Sequence, residues 1–516
     1  MGVLTRIADV LRKEEVLPRK EPKLEMRMYE GAEGGRLMND FWGAATSQDS
    51  ELAGSLSVLR NRSRKLVRDN PHAANLKRIV QDNIVGSGIG VQAQILNDDG
   101  TPDRELNDRI EEAWRKWINK ENCHTAGQLS FGSILRLAVG AVFQDGEVLL
   151  RKVHRPFGES RIPFALEIIE SDLLLDESEG TFLTRSGNSV RFGVEVDPWM
   201  RPVAYWVKTA HPGDYQFSTV NRGPDRKRLP AGDVEHIFLI DRWPQTRGVP
   251  WMHAVLRRLN DASEYTKSEL VAARASANIT GFIQQSLDML DPDDKRFKNI
   301  SKYVQSEPGT FRRLLPGETF AGFSPSRPNA ALDPFMRYML RELAAGVGVS
   351  YESLSRDYSQ SNYSSSRLSL LDERSLWRVL QGWIIRDYLT PIYREWLDAA
   401  VLCGEVEIDD YFSDKERYQK VRFKPRGWSW VDPAKEVQAY SEAVANGFMS
   451  RSDVIAAIGN GQDREDVDKA IKDDIDRAAE LGLAFKHGNG SSAELAEVAG
   501  DDPPPGAVNN VGQKAG

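Results

Sequence analysis

Residues 355–367 read SRDYSQSNYSSSR: six serines, two tyrosines, one asparagine and one glutamine, with an arginine near each end. Hydroxyls and amides at this density can exchange weak hydrogen bonds with phosphate oxygens, directly or through water. Nucleophilic chemistry does not fit, because no histidine stands in the stretch to take a serine proton. A metal site does not fit either, since acids and cysteines are too few. The rest of the chain is as poor in reactive patterns. It has no GxxxxGK[ST] phosphate loop, HExxH, CxxC or GxSxG. The seven histidines are scattered, with none at metal-ligand spacing from another. The acidic doublets Asp409-Asp410 and Asp501-Asp502 could suggest a two-metal nuclease, but paired acids in loops are more often simply solvated. GSGIG at 86–90 follows a helical pattern rather than a strand, so it is not read as a dinucleotide loop. No catalytic residue, metal or cofactor is expected.

The composition sets outer bounds. At 516 residues the chain has room for two to four domains. A formal charge of −8 argues against tight, nonspecific nucleic-acid binding, which needs clustered Lys and Arg. Two cysteines, Cys123 and Cys403, suit a reducing compartment and allow no disulfide framework. No run of about 18 apolar residues exists, so no transmembrane helix is expected. Val3, Leu4, Ile7, Val10 and Leu11 share one helical face. That face reads as a short docking helix or, alternatively, a membrane-surface one.

The elements that must position the hydroxyl-rich stretch are legible in outline. Residues 14–59 read as a loosely ordered arm. Five of the nine residues 60–68 are Arg or Lys. They form either a solvated helix face or a phosphate-facing or intersubunit one. Asn70-Pro71 opens a helix to about Val85. A helix over 103–118 carries the stripe Leu106, Ile110, Trp114, Trp117, and another spans about 130–142. Asp145-Gly146 reads as a hairpin turn into a strand. Short strands follow to 240, among them ALEIIE, VRFGVEV, PVAYWVKT and VEHIFLI. A long helix is expected over 251–279, with Met252, Val255, Leu259, Ala262, Leu270 and Ala273 recurring at helical spacing. Residues 281–332 are irregular and rich in Pro and Gly. Asp333-Pro334 opens a helix with Phe335, Met336, Met339, Leu340 and Leu343 on one face, ended by Gly346 and Gly348. A third long helix, 365–400, carries Leu368, Leu371, Val379, Trp383 and Ile384 as one stripe, and Pro391 must kink or break it. Helices opening at Asp432-Pro433 and Ser450, and one over 464–481, precede a low-complexity tail. The class is α+β, helix-rich.

This order, with the stretches RKLVRDNPHAANLKRIVQDNIVGSGI, LEIIESDLLL, FGVEVDPWMRPVAYWV, HPGD, QTRGVPW, EPGTFRRLLPGE and DYSQSNYSSSR, resembles the lambda-like portal proteins of tailed bacteriophages. The resemblance covers about residues 60–482. It implies a non-enzymatic ring, typically of twelve subunits, at one capsid vertex of the virion, assembled in the host bacterial cytoplasm. Double-stranded DNA enters through the ring during packaging and leaves through it on ejection. The implied partners are other copies of the chain, the terminase large subunit, head-completion or adaptor proteins, and the major capsid and scaffolding proteins, without a membrane. Carried onto this chain, the domains become an arm (1–59), wing (60–250), first stem helix (251–280), clip (281–332), second stem helix (333–350), tunnel loop (351–367), wing and crown (368–485) and tail (486–516). The resemblance puts Arg356, Tyr358, Gln360, Asn362, Tyr363, Ser364, Ser365, Ser366 and Arg367 against DNA, and Lys302, Arg312, Arg313 and Glu318 on the terminase-docking surface. A channel loop built of hydroxyls, in a ring of chains each at −8, would favour sliding over sticking. Arg356 and Arg367 either meet phosphate or pair with Asp357 and Asp372. The stretch could also be an exposed linker that never meets DNA. The alternatives to a portal are a nucleic-acid translocase or nuclease, and a capsid-associated protein that forms no ring.

Overall fold

The computed structural model describes residues 45–176, 181–185, 187–214, 225–278, 281–285, 318–322, 329, 331–360, 362–428, 433–458 and 464–483. The expected helix over Val3–Leu11 and the tail from 486 lie outside the described residues.

The chain opens with α1 (Gln48–Leu52), α2 (Leu56–Asp69) and α3 (Pro71–Ile84). The expected arm 1–59 therefore stops short, since two helices begin inside it. Ser47 caps α1, and Leu52 and Leu56 are buried. The Asn70-Pro71 start holds: Asn70 Oδ1 accepts from Ala73 N at 2.9 Å, and proline occupies the first turn. β1 (Gly90–Ala93) leads to α4 (Arg104–Trp117), capped by Asp103. Its stripe of Leu106, Ile110, Trp114 and Trp117 is buried as its spacing predicts. α5 (Lys120–Cys123) and α6 (Phe131–Asp145) follow.

Asp145-Gly146 is not a hairpin turn. The apolar periodicity continues through Phe143, so α6 runs on and ends at Gly146 in the left-handed region (φ 91°). A Cβ there would also lie 2.5 Å from the Val249 carbonyl carbon, so both conformation and space demand glycine.

Two antiparallel sheets come next. β2 (Glu147–Val153) is the centre of the order β3-β2-β9, between β3 (Ala165–Ile169) and β9 (Val234–Phe238). The second sheet is a five-strand meander of β4 (Phe182–Leu183), β5 (Ser189–Arg191), β6 (Val194–Val196), β7 (Pro202–Lys208) and β8 (Arg226–Pro230). It shares a small core with the first sheet, where Leu149, Ile169 and Val234 pack with Leu174, Val194, Val196, Tyr205, Val207 and Leu229. The larger core joins α3, α4 and α6 to the later helices.

A 3-10 turn, Trp251–Ala254, feeds α7 (Leu256–Asn278). β10 (Gly281–Gln285) and β11 (Glu318–Gly322) pair antiparallel, and α8 (Leu332–Val347) returns along α7. α9 (Tyr351–Ser355), α10 (Tyr363–Ile384) and α11 (Thr390–Leu402) follow. Pro391 does not break this last run. The turn Ile385–Leu389 widens to a π-helix, and Thr390 Oγ1 donates to Ile385 O at 2.8 Å, so the missing proline N–H is absorbed within a continuous helix. The single stripe read on 365–400 divides. Ile384 is buried with Trp377 and Leu380, whereas Leu368, Leu371 and Val379 point outward. α12 (Lys415–Tyr418) precedes β12 (Val421–Lys424), which pairs with β1 more than 300 residues upstream. α13 (Pro433–Ala445), α14 (Arg451–Ile458) and α15 (Arg464–Leu481) follow β12. Among the described residues no helix is long and apolar enough to cross a membrane.

Candidate nucleic-acid interface and its supports

α7 and α8 run antiparallel. Tyr265 packs edge-on against Phe335 at 4.9 Å, Arg258 pairs with Glu342, and Asn329 Nδ2 donates to Glu269 Oε1 at 2.8 Å. Positions rise along one helix as they fall along the other. Gly346 lets the backbones close up, since a Cβ there would meet Val255 Cγ1 at 2.5 Å. At the base of the pair Val255, Leu259, Ala262, Leu340, Leu343 and Val347 are buried. Further out, Leu270 (51%), Val271 (58%) and Tyr338 (65%) are exposed. The helical spacing that suggested Leu270 and Ala273 as core therefore holds only for the base.

α8 ends at Gly348 in the left-handed region, and Ser350 caps α9. Glu373, buried on α10, fixes this corner. It accepts from Ser350 N (3.1 Å), Ser353 Oγ (2.8 Å) and Trp377 Nε1 (3.3 Å). From α3, Asn75 Nδ2 donates to the Ser353 and Leu354 carbonyls, both at 3.0 Å.

Beyond this corner Arg356 closes α9 with a left-handed backbone (φ 59°), unusual for a side chain of its size. Asp357 is the hub of the turn. Tyr351 Oη donates to it at 2.9 Å, Ser359 N at 3.0 Å, and Arg337 lies 3.7 Å away. Hydrogen bonds from Ser359 and Tyr351, with the nearby Arg337, hold its carboxyl down at about 2. Arg356, Tyr358, Gln360 and Asn362 are exposed.

The hydroxyl-rich stretch is thus half turn and half helix, which corrects the loop expected over 351–367. Residues 351–355 are α9, and α10 begins at Tyr363, so Tyr363, Ser364, Ser365, Ser366 and Arg367 form its first turn. The cause is local. Asn362 Oδ1 accepts from Ser365 N at 2.8 Å, and Ser365 Oγ accepts from Asn362 N at 3.2 Å, a reciprocal capping box. Of the two alternatives for these arginines, the pairing of Arg356 with Asp357 and of Arg367 with Asp372 does not form. Among the described residues neither arginine makes an ion pair. The docking candidates Lys302, Arg312 and Arg313 lie outside the described residues, and Glu318 opens β11 opposite Gln285.

Sequence reasoning missed a charged core between α2 and the three-strand sheet. Arg60 and Arg64, in the basic stretch read as outward-facing, turn inward. Glu147, wholly buried, accepts from Arg60 Nη2 (2.9 Å), Arg247 Nε (2.7 Å) and Gly248 N (2.7 Å), and lies 3.0 Å from His236 Nε2. Arg64 reaches Asp145, Glu170 and Asp172, and Arg60 also reaches Asp172. Glu170, Asp172 and His211 are close enough together for a cation. Guanidinium groups already hold that position, so the set fits arginine rather than a metal. The signal available in sequence was the alternation of arginines, Arg60 and Arg64 being one turn apart.

The description "Phage portal protein, lambda family" belongs to a family model that matches residues 34–381. The chain belongs to this portal family. A protein of Halomonas phage phiHAP-1 named "Probable portal protein" is 32% identical over 484 residues, covering 92% of this chain and 91% of that protein. Portal protein B of Escherichia phage lambda is 22% identical, covering 80% of this chain and 84% of its own length. Among solved structures, a chain from the neck of an empty gene transfer agent particle aligns with a TM-score of 0.44 at 17% identity, covering 82% of this chain and 98% of that one. The portal family assignment therefore rests on sequence.

Proposed function

We propose that this chain is a subunit of a closed ring, of about twelve copies as the family resemblance implies, at one vertex of a phage head, through which double-stranded DNA is packaged and released. The family match over 34–381 carries the reading. The geometry supports it. α10 turns Leu368 (70%) and Val379 (69%) outward, and α7 and α8 leave Leu270, Val271 and Tyr338 exposed. Apolar faces of this extent on long helices call for neighbouring copies. The α7–α8 pair is the stem, the 60–250 region the wing, and the helices after 368 the rest of the wing and the crown. The turn 356–362 with the first turn of α10 faces the channel, where Arg356, Tyr358, Gln360, Asn362, Tyr363, Ser364, Ser365, Ser366 and Arg367 meet passing DNA through weak, interchangeable contacts. The β10–β11 ribbon bases the clip, whose Lys302, Arg312, Arg313 and Glu318 dock the terminase large subunit and later the head-completion proteins. The chain performs no chemistry of its own. Native mass spectrometry of the purified protein should show a single closed oligomer with cyclic symmetry in matching micrographs. A strictly monomeric mass at micromolar concentration would overturn the reading.

A further inference from the structure

We infer that adjacent subunits of the ring join head to tail, with the outward face of α2 on one copy seating the 402–416 knob of the next. The inference rests on the ring proposed above and adds its polarity and contact faces.

The first observation is a helix face left exposed among the described residues. The core side of α2 presents Leu56, Arg60, Ser63 and Leu66. On the opposite side Val58 (44%), Asn61, Arg62, Lys65 and Arg68 are exposed. Arg68 is held by Asp69 at 2.8 Å. Arg62 and Lys65 make no ion pair among the described residues. The face is therefore apolar at one end and carries free positive charge along its length.

The second observation is a knob of opposite sign. Between α11 and α12 the chain is pinned by buried Val406 and Tyr411, and Tyr411 Oη donates to Asp398 at 2.6 Å. The knob's cations are used internally: Lys415 reaches Asp398 at 2.9 Å, and Arg417 reaches Asp98 at 2.8 Å. Its outer side is left with exposed Glu405, Glu407, Asp409 and Asp410 around two exposed apolar side chains, Leu402 (70%) and Phe412 (54%). Lys415 Nζ lies 5.0 Å over the Phe412 ring but is paired with Asp398, so the four exposed acids leave the segment with a negative excess that suits a protein surface of the other sign.

The third observation is where the two lie. α6 spans roughly 22 Å. At its C-terminal end Asp145 receives Arg60 and Arg64 of α2. At its N-terminal end Phe131 packs on Trp114 at 5.2 Å, and Trp114 packs on Trp396 of α11, the helix that leads into the knob. Face and knob thus sit at opposite ends of the same helix. They cannot meet within one chain. Between copies they make a contact of two different surfaces, the kind that closes into rings rather than pairs.

The test is a charge swap read by native mass spectrometry, with circular dichroism to show that each variant is folded. One variant carries Glu407→Lys, Asp409→Lys and Asp410→Lys, and the other Arg62→Glu and Lys65→Glu. Each alone should lose the ring species, because like charges then face each other. Mixed one to one they should regain rings, strictly alternating and of even number, because each altered surface again meets its opposite. Rings formed by either variant alone as readily as by the parent would overturn the contact while leaving the ring intact. Failure of the mixture to assemble would also overturn it. A parent protein that forms no ring would remove both the contact and the reading beneath it.

Discussion

Glu147 has no access to solvent, so its charge survives only through its partners. Burial alone would raise its carboxyl; Arg247, the hydrogen bond from His236, and Arg60 outweigh burial and hold it well below the ordinary carboxylate range. The unfolded chain therefore takes up this proton more readily than the folded chain. The stabilisation is complete above the unfolded glutamate value of about 4.3 and drains away as pH falls below it. Asp172 adds the same sign, lowered against its own burial by Arg64 and Arg60. Glu147→Gln would leave Arg247 and Arg60 facing a neutral amide inside the protein. The expected loss is about 3–5 kcal/mol in a denaturant titration, with a flatter dependence on pH below 5. Adding Arg247→Gln should recover part of that loss, since the pair is then neutral together. A single variant within about 1 kcal/mol of the parent, with an unchanged acid limb, would mean that the network does not hold α2 to the sheet.

At the scale of elements, what could be read from sequence was whatever is local. The Asn70-Pro71 start, the Leu106–Trp117 stripe and the strands read in ALEIIE, PVAYWVKT and VEHIFLI each follow from their own residues, whereas VRFGVEV, read as one strand, is the hairpin β5–β6 that turns at Phe192-Gly193 with positive φ at both residues. Contacts that join distant segments left no local trace: β1 with β12, Glu373 beneath the Ser350 corner, and Glu147 with Arg247. The hydroxyl-rich stretch was misread for a related reason. Serine is a poor interior helix residue, yet Ser365 three places after Asn362 completes a capping box, so the same residues that looked like loop start a helix. Ser365 must be left alone, because replacing it would disturb the helix start. Gln360→Lys with Ser366→Lys adds positive charge to the turn and the first helical turn without touching the cap. If this surface meets DNA, the lysine variant should package less DNA per procapsid and retain it more strongly at low salt than at high salt, through counterion release. The alanine counterparts should be nearly neutral, each lost hydrogen bond to solvent or phosphate amounting to about 0.5–1.5 kcal/mol and replaceable by water. Equal packaging by both variants, without salt dependence, would make the stretch an exposed linker.

At the scale of the whole molecule, assembly and docking belong to different parts of the chain, so they can be separated. The large core joins α3, α4, α6 and the helices from α8 to α11. The exposed faces proposed for assembly lie on α2, α7, α8, α10 and the 402–416 segment. β10 and β11 are fixed to each other by a five-residue antiparallel register, Gly281 opposite Gly322 and Gln285 opposite Glu318. A replacement that stays inside that ribbon should therefore leave α7, α8 and the ring undisturbed. Loop closure costs little extra when a long segment is exchanged for a flexible one of equal length, because the entropy grows only with the logarithm of length. Exchanging 290–313 for a Gly/Ser linker of the same length removes Lys302, Arg312 and Arg313 together. Native mass spectrometry should find the ring mass altered only by the exchange. Packaging by the cognate terminase should fall to background, because the motor has lost its seat while the channel is intact. Rings that still package at the parent's rate would move motor docking elsewhere on the chain, and loss of the rings themselves would show that this segment also joins the subunits.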